Sequence, residues 1–435
     1  MEEVKKITGQ VLIPQKVSAL LQEEVKHILR YKEKIEESFS KTVTKILEII
    51  LAGAFFLEVS DVHIEPEKEN ARLRIRIDGV LHDVLDFDLK TYKVLLSRVK
   101  LLAGLKLNIT TRPQDGRFSI LIERDSIEVR ASSLPAEYGE SIVLRILNPK
   151  WVVILEKLGL RRDMLKLFEK EIKKPHGMIV CTGPTGCGKT TTLYAFLKKI
   201  NNPGIKIITI EDPIEYHLEG ISQSQVDPKK GYDFASGLRS IVRQDPDVIL
   251  VGEVRDLETA KIALQSALTG HLVLTTIHTN DAAGTIVRFQ ALGEKSSNIA
   301  PALNLVIGQR LVRRVCLDCL KLEKISAENL IKIKNSLKNL PAKFKIPEIK
   351  PQNLISKAQG CPMCNFTGYR GRLGIFEAFL VDPELEKFIL TNPSISTLRE
   401  KVVKKGMVSM QQDGILKVLE GVTTLDEVER ATGPI

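Results

Sequence analysis

Gly183-Pro-Thr-Gly-Cys-Gly188-Lys189-Thr190 constrains this chain more than any other stretch. It stands between an apolar run, Met178-Ile-Val-Cys-Thr182, that reads as a buried strand, and residues 191–200, which read as a helix. A buried strand delivering a glycine-rich turn into a helix N-terminus belongs to an α/β sheet. Glycines let the backbone wrap so that successive N–H groups converge on a phosphate. Lys189 then reaches the β and γ oxygens, and the Thr190 hydroxyl takes a magnesium position. ATP with Mg2+ is the expected ligand, cradled by Gly183, Pro184, Thr185, Gly186, Cys187, Gly188, Lys189, Thr190 and Thr191. Cys187 is read either as oxidation-sensitive or as a small residue tolerated in the loop.

Beyond this loop the pattern alternates strand and helix. Residues 205–210, 247–252 and 271–278 read as strands that run into Glu211-Asp-Pro-Ile-Glu215, Glu253-Val-Arg255-Asp256 and His278-Thr-Asn280. An open parallel sheet places its ligand at the carboxyl ends of its strands, so these groups are expected to meet. Phosphoryl transfer needs a charge-neutralised phosphate and a positioned water more than covalent help. Lys189 supplies the neutralising charge. Glu253 is the first choice for the residue beside the γ-phosphate, with Glu211 and Glu215 as rivals for the general base. His278 is placed to sense the γ-phosphate and His271 is a further catalytic candidate, although a strand histidine is more often a packed core residue.

Upstream, residues 56–148 read as a small α+β domain whose strands carry Arg72, Arg74, Arg76, Arg117, Arg130 and Arg145. Alternating strand arginines ordinarily mark a solvated sheet face. The functional alternative is a cluster of Arg74, Arg76, Arg117, Arg130 and Arg145 that reaches a neighbouring subunit's nucleotide. Residues 1–55 show apolar positions at helical spacing (Leu20-Leu21, Val25, Ile28-Leu29, Ile35) and no nameable chemistry.

Cys316-Leu-Asp-Cys319 and Cys361-Pro-Met-Cys364 are paired knuckles that suit four-thiolate, structural Zn2+. Between residues 310 and 372 there are 14 Lys/Arg against 4 Asp/Glu, an excess equal to the net +10 of the whole chain. Charge so localised argues against a chain-wide nucleic-acid stripe; it reads either as one basic module facing an acidic partner or an anionic membrane surface, or as a solvated face with no partner. The segment between the knuckles reads as too short and Lys-rich to build its own core. From Phe376 onward the pattern reads as helical, with Thr424-Leu-Asp-Glu427 as a capping box. The longest uncharged apolar run near the N-terminus, residues 49–57, is far too short to span a bilayer, so neither signal peptide nor anchor is read and a cytoplasmic protein is expected.

The order of these motifs resembles the type II secretion and type IV pilus assembly ATPases of the secretion-ATPase superfamily. The resemblance covers roughly residues 55–435. It rests on Ser60-Asp-Val-His-Ile-Glu-Pro66, Arg76-Ile-Asp-Gly-Val-Leu81, Arg112-Pro-Gln-Asp-Gly-Arg117, the phosphate loop, the aspartate box Thr209-Ile-Glu-Asp-Pro-Ile-Glu215, the Walker B stretch Ile249-Leu-Val-Gly-Glu-Val-Arg-Asp256, the histidine box over residues 270–280 and the tetracysteine. It implies a RecA-like P-loop core (156–315) after an N-terminal helical segment (1–55), an α+β, PAS-like domain (56–148) and a linker (149–155). A basic zinc module (316–375) and a C-terminal helical domain (376–435) follow. It further implies a hexameric ring peripheral to the inner membrane that passes ATP-driven motion to a platform protein of a pilus or secretion system. The rival reading is a nucleic-acid translocating motor. Its basic segment would need stacking aromatics, and only Phe344, Phe366 and Tyr369 are present. A nucleotide-binding scaffold without turnover is disfavoured, because the acidic residues that hydrolysis needs are all there.

Overall fold

The structure is a computed structural model that describes residues 9–148, 153–341, 344 and 349–435 of the 435-residue chain. Most of the expected linker, residues 149–152, lies outside the described residues, as do Lys343, Lys345 and Glu348 of the basic stretch. The chain divides into two compact units. One holds Met1–Pro149 with Cys316–Cys319 and Gln359–Arg370, and the other holds Lys150–Val315, Leu320–Ala358 and Gly371–Ile435.

The first unit runs β1 (Gln10–Ile13), α1 (Gln15–Glu24), α2 (Ile28–Glu36), α3 (Val43–Phe56), β2 (Asp61–Pro66), β3 (Asn70–Ile77), β4 (Val80–Asp88), α4 (Leu89–Leu102), β5 (Gln114–Ile122), β6 (Asp125–Ala136) and β7 (Gly139–Leu147). Its sheet has the order β1-β5-β6-β7-β2-β3-β4. Every pairing is antiparallel except β1 with β5, so the N-terminal segment adds a strand at the sheet edge besides the expected helices. Burial alternates along β3, with Ala71, Leu73 and Ile75 inside and Arg72, Arg74 and Arg76 on the other face. That alternation buries one face under α3 and α4 and leaves the other charged.

The second unit is built differently. It contains α5 (Arg162–Glu171), β8 (Gly177–Thr182), α6 (Lys189–Ile200), β9 (Ile207–Glu211), β10 (Ser222–Gln225), α7 (Phe234–Val242), β11 (Val248–Val251), α8 (Leu257–Leu268), β12 (Leu272–Ile277), α9 (Gly284–Ala291), α10 (Ser296–Ala302) and β13 (Leu303–Val315). The order β10-β9-β11-β12-β8-β13-β16, with β16 at Tyr369–Leu380, is parallel through its first six strands. Strands β8, β9, β11 and β12 are buried at every position because helices cover both faces.

The later elements are β14 (Lys321–Lys324), α11 (Ala327–Leu337), β15 (Leu354–Lys357), β16 (Tyr369–Leu380), α12 (Pro383–Ile389), α13 (Ile395–Lys404), α14 (Met410–Leu419) and α15 (Leu425–Thr432). Residues 376–380 are strand, not helix, because Phe376 and Phe379 fill the last position of the core sheet. The segment between the knuckles does pack a core, which it shares: Ile325, Ile333, Leu337 and Ile355 bury against Ile415, Val418, Leu425 and Val428 of the C-terminal helices. Among the described residues, no helix is long and apolar enough to cross a membrane.

Candidate functional site: a phosphate cradle at the ends of parallel strands

Because β8, β9, β11 and β12 are parallel and in register, their last residues form a common edge. Val251 pairs with both Ile210 and Thr275, and Ile277 pairs with Thr182. One step further lie Glu211, Gly252-Glu253, His278 and Gly183. Gly252 permits the crowding there, since a Cβ on it would lie 3.3 Å from both the Glu211 Cα and the Ile210 oxygen.

Between β8 and α6 the loop turns on Gly183, Gly186 and Gly188, with φ of +148°, +77° and +87°. Such angles cost any other residue strain, and a Cβ on Gly183 would meet the Gln309 carbonyl at 2.4 Å. Above Gly186 there is open space, with no atom within 4 Å of an added Cβ. Pro184, Thr185 and Gly186 are exposed, while Cys187 is buried. Burial pushes the Cys187 thiol up despite the Lys189 charge, which favours the reading of a tolerated small residue over a reactive thiol. Lys189 is 9% exposed, and its ammonium donates to the carbonyls of Gly183 at 2.9 Å and Pro184 at 3.1 Å. Thr190 and Thr191 follow in the first turn of α6, both partly exposed. The loop therefore offers a cation, a helix N-terminus and an open mouth lined by glycine backbone, the donor set a polyphosphate requires.

The acidic candidates separate. Glu253 lies within salt-bridge distance of Arg255, and its other oxygen stands 3.4 Å from His278 Nε2. Burial, and then the Lys189 charge, hold the His278 imidazole below its usual value, so it is neutral at pH 7. Glu253, His278 and Lys189 are thus brought together. Glu211 is 3% exposed and its carboxylate is already engaged: it accepts from Tyr194 Oη, from Thr209 Oγ1 at 2.5 Å and from Gln223 Nε2 at 3.2 Å. Burial raises its pKa. Glu215 is half-buried in the loop that follows, beside Tyr194. His271 is not brought to the site. It precedes β12 at the amino end, where its Nδ1 lies 3.0 Å from the Ser266 oxygen, about 20 Å of strand away from His278.

Sequence reasoning missed the residues behind the cradle. Thr182 Oγ1 donates to the Ile277 carbonyl at 2.8 Å and accepts from Thr279 N at 3.0 Å, tying the phosphate-loop strand to the histidine loop. Gln309 of β13 is 2% exposed and contacts the loop from below. The available signal was parity, for a glutamine at an inward position among Leu305, Ile307 and Leu311 breaks an apolar alternation.

In the first unit the arginines fall into two groups. Arg117, Arg130, Arg145, Asp61 and Arg76 pair in one continuous row across β5, β6, β7, β2 and β3. Four cations and one carboxylate thus share a line roughly 19 Å long on one face. Arg145 Nε donates to Asp61 at 2.9 Å, and Arg76 Nε lies 3.6 Å from the same carboxylate. Arg74 sits outside the row, against Glu65 at 2.6 Å and Asp83 at 4.0 Å.

The four knuckle cysteines converge in the same unit. Their Sγ atoms all lie within 4.8 Å of one another, with Cys316–Cys361, Cys319–Cys364 and Cys361–Cys364 at 4.0, 3.8 and 3.7 Å. A tetrahedral ion with metal–sulfur bonds of about 2.3 Å requires sulfur separations of about 3.8 Å, so the cluster fits. Backbone N–H groups of Cys361 and Gly368 point at Cys364 Sγ at 3.1 and 3.2 Å, donors of the kind that steady a thiolate ligand.

Comparison with known proteins agrees with this geometry. The profile of the family described as Type II/IV secretion system protein matches residues 36–430. The type II secretion system ATPase E of Vibrio cholerae serotype O1 is 42% identical over 399 residues, covering 92% of this chain and 77% of its own. The type IV pilus assembly ATPase PilB of Acinetobacter baylyi is 39% identical over 392 residues, covering 90% and 66%. Among solved structures, the pilus retraction motor PilT with bound ADP superposes with a TM-score of 0.58 at 27% identity, over 88% of this chain and 95% of that one. On sequence, fold and the position of its phosphate loop, the chain belongs to the Type II/IV secretion system protein family.

Proposed function

We propose that this chain is a Mg2+-dependent ATPase whose hydrolysis cycle drives type II protein secretion or type IV pilus assembly. What carries the reading is the single edge at which the Lys189 ammonium, the Glu253 carboxylate and a neutral His278 meet beside a glycine cradle. ATP binds with its phosphates on the loop, Thr190 holds magnesium and Lys189 neutralises the β and γ oxygens. Glu253 orients and deprotonates the attacking water. Glu211, whose oxygens are committed to Tyr194, Thr209 and Gln223, serves as the anchor of that edge. His278 hydrogen-bonds the γ-phosphate while it is present and relaxes onto Glu253 when it leaves.

The arginine row supports assembly into a ring, proposed as a hexamer. Like charges directly opposite one another on a sheet are destabilising, and an anionic partner would relieve the Arg117–Arg130–Arg145 run. Arg76, Arg117, Arg130 and Arg145 accordingly reach the nucleotide of an adjacent copy, exchanging their intramolecular pairs with Asp61 and Glu128 for its phosphates, while Arg74 lies off the row. The tetracysteine holds structural Zn2+. The ring works in the cytoplasm against an inner-membrane platform protein. The test is phosphate release from ATP by the purified chain, with and without Mg2+. Release only with Mg2+ is expected; protein that binds ADP yet releases no phosphate with Mg2+ overturns the hydrolytic reading.

A further inference from the structure

The side chain of Gln309 is a heavily committed polar group behind the phosphate loop, and no part of the reading above uses it. It is 2% exposed. Its Nε2 donates to the Cys187 carbonyl at 2.8 Å, and its Oε1 accepts from Thr192 Oγ1 at 2.7 Å and lies 3.4 Å from Cys181 Sγ. One planar amide therefore ties three consecutive elements: the end of β8, the loop itself and the first turn of α6. Backbone packing adds to the tie, because the Gln309 carbonyl fills the space that a Cβ on Gly183 would need, and its Nε2 lies 2.9 Å from where a Cβ on Gly188 would stand. The two glycines that bound the cradle are thus closed against the same residue.

We propose that Gln309 is a positioning residue for nucleotide binding, one that fixes the curvature of the phosphate loop from its protein side. This deepens the ATPase reading and rests on it. The physical case turns on which atom does what. A loop whose N–H groups must all point at one phosphate turns its carbonyls the other way, into the protein, where each needs a donor. Gln309 Nε2 is that donor for Cys187, the residue just before Gly188-Lys189. Without it the Cys187 carbonyl is buried and unpaired, and the peptide turns to find another partner, carrying the neighbouring N–H groups off the phosphate. The Oε1 half of the amide instead holds α6, whose N-terminus faces the ligand. Affinity for phosphate therefore depends on the donor half more than on the acceptor half.

Gln309→Glu keeps the acceptors and, where ionised, removes the donor while adding a charge, so the uncharged Gln309→Met, which removes the donor outright, is measured beside it. Titration of folded, full-length protein with ADP and Mg2+ is expected to show at least tenfold weaker binding for Gln309→Glu, and a smaller loss for Thr192→Val, which leaves the donor half intact. Thermal unfolding without nucleotide separates positioning from stability, since a purely structural role lowers Tm while leaving the ADP affinity of the folded protein unchanged. Gln309→Met keeps the side-chain volume and carries the same expectation should the Glu variant not fold. ADP affinity within twofold of the unaltered chain in folded Gln309→Glu or Gln309→Met overturns the proposal, as does a Thr192→Val loss equal to that of Gln309→Glu. Failure of the unaltered chain to bind ADP overturns the nucleotide reading itself, and this inference with it.

Discussion

Two seven-stranded sheets in one chain put their chemistry in different places. The largely antiparallel sheet of the first unit buries one face and displays the other, so its functional candidates stand on a face, as the row from Arg117 to Arg76. Strands β8, β9, β11 and β12 of the second sheet are buried on both faces, which leaves most of their side chains to packing and a few, Thr182, Thr209 and Glu211, to hydrogen bonds at the strand ends. Chemistry there is displaced to the end of the sheet, into the loops after β8, β9, β11 and β12. A face offers a broad charged surface suited to a partner molecule. An edge offers convergence, suited to a small ligand and a reaction.

The most severe way to break that contrast is at the edge. Lys189→Ala is expected to cut ATP turnover by about 10²–10³-fold, the scale for removing one preorganised charge stabiliser, with little change in fold. Steady-state phosphate release checks this. On the face, single losses should be milder. Arg117→Ala is expected to lower turnover by about tenfold, since it is one of four cations sharing the work. Arg72→Ala, whose guanidinium already pairs with Glu67 and Asp86 in solvent, should change both turnover and stability little. Equal effects of Arg117→Ala and Arg72→Ala would reduce the row to an ordinary solvated face.

A subtler probe contrasts Glu211 with Glu253. Burial raises the folded-state pKa of Glu211, so its ionised form is penalised in the fold; stability from this group is fullest below its unfolded value and is lost as pH rises through the folded one. The Tm of Glu211→Gln relative to the unaltered chain should therefore be most favourable at pH 7.5, with that advantage narrowing as pH falls into the carboxylate range. A thermal melt series over pH reads the trend, and an advantage that widens toward acid would contradict it.

Much of this division was legible in the residues. Alternation along residues 72–77 is the mark of a one-faced sheet, and the apolar runs 178–182 and 248–251 read as strands, the first of them buried. What escaped was non-local. Strand β1 is four residues that pair in parallel with β5, more than 100 positions away, and no neighbouring pattern records that. Residues 376–380 read as helix because a strand buried on both faces loses its period of two. His271 and His278 bracket one strand, and only strand polarity decides which of them reaches the ligand. Gln309 was invisible as chemistry because its partners, Cys187 and Thr192, are more than 100 residues upstream.

The central claim is that ATP is split where the parallel strands end, with Glu253 acting on the water. Glu253→Gln keeps the side chain's shape and removes its basicity. Equilibrium ATP binding measured beside single-turnover hydrolysis therefore tests the claim most directly. Binding near that of the unaltered chain with hydrolysis slowed by about 10²-fold or more is the predicted result; hydrolysis at the unaltered rate would contradict it.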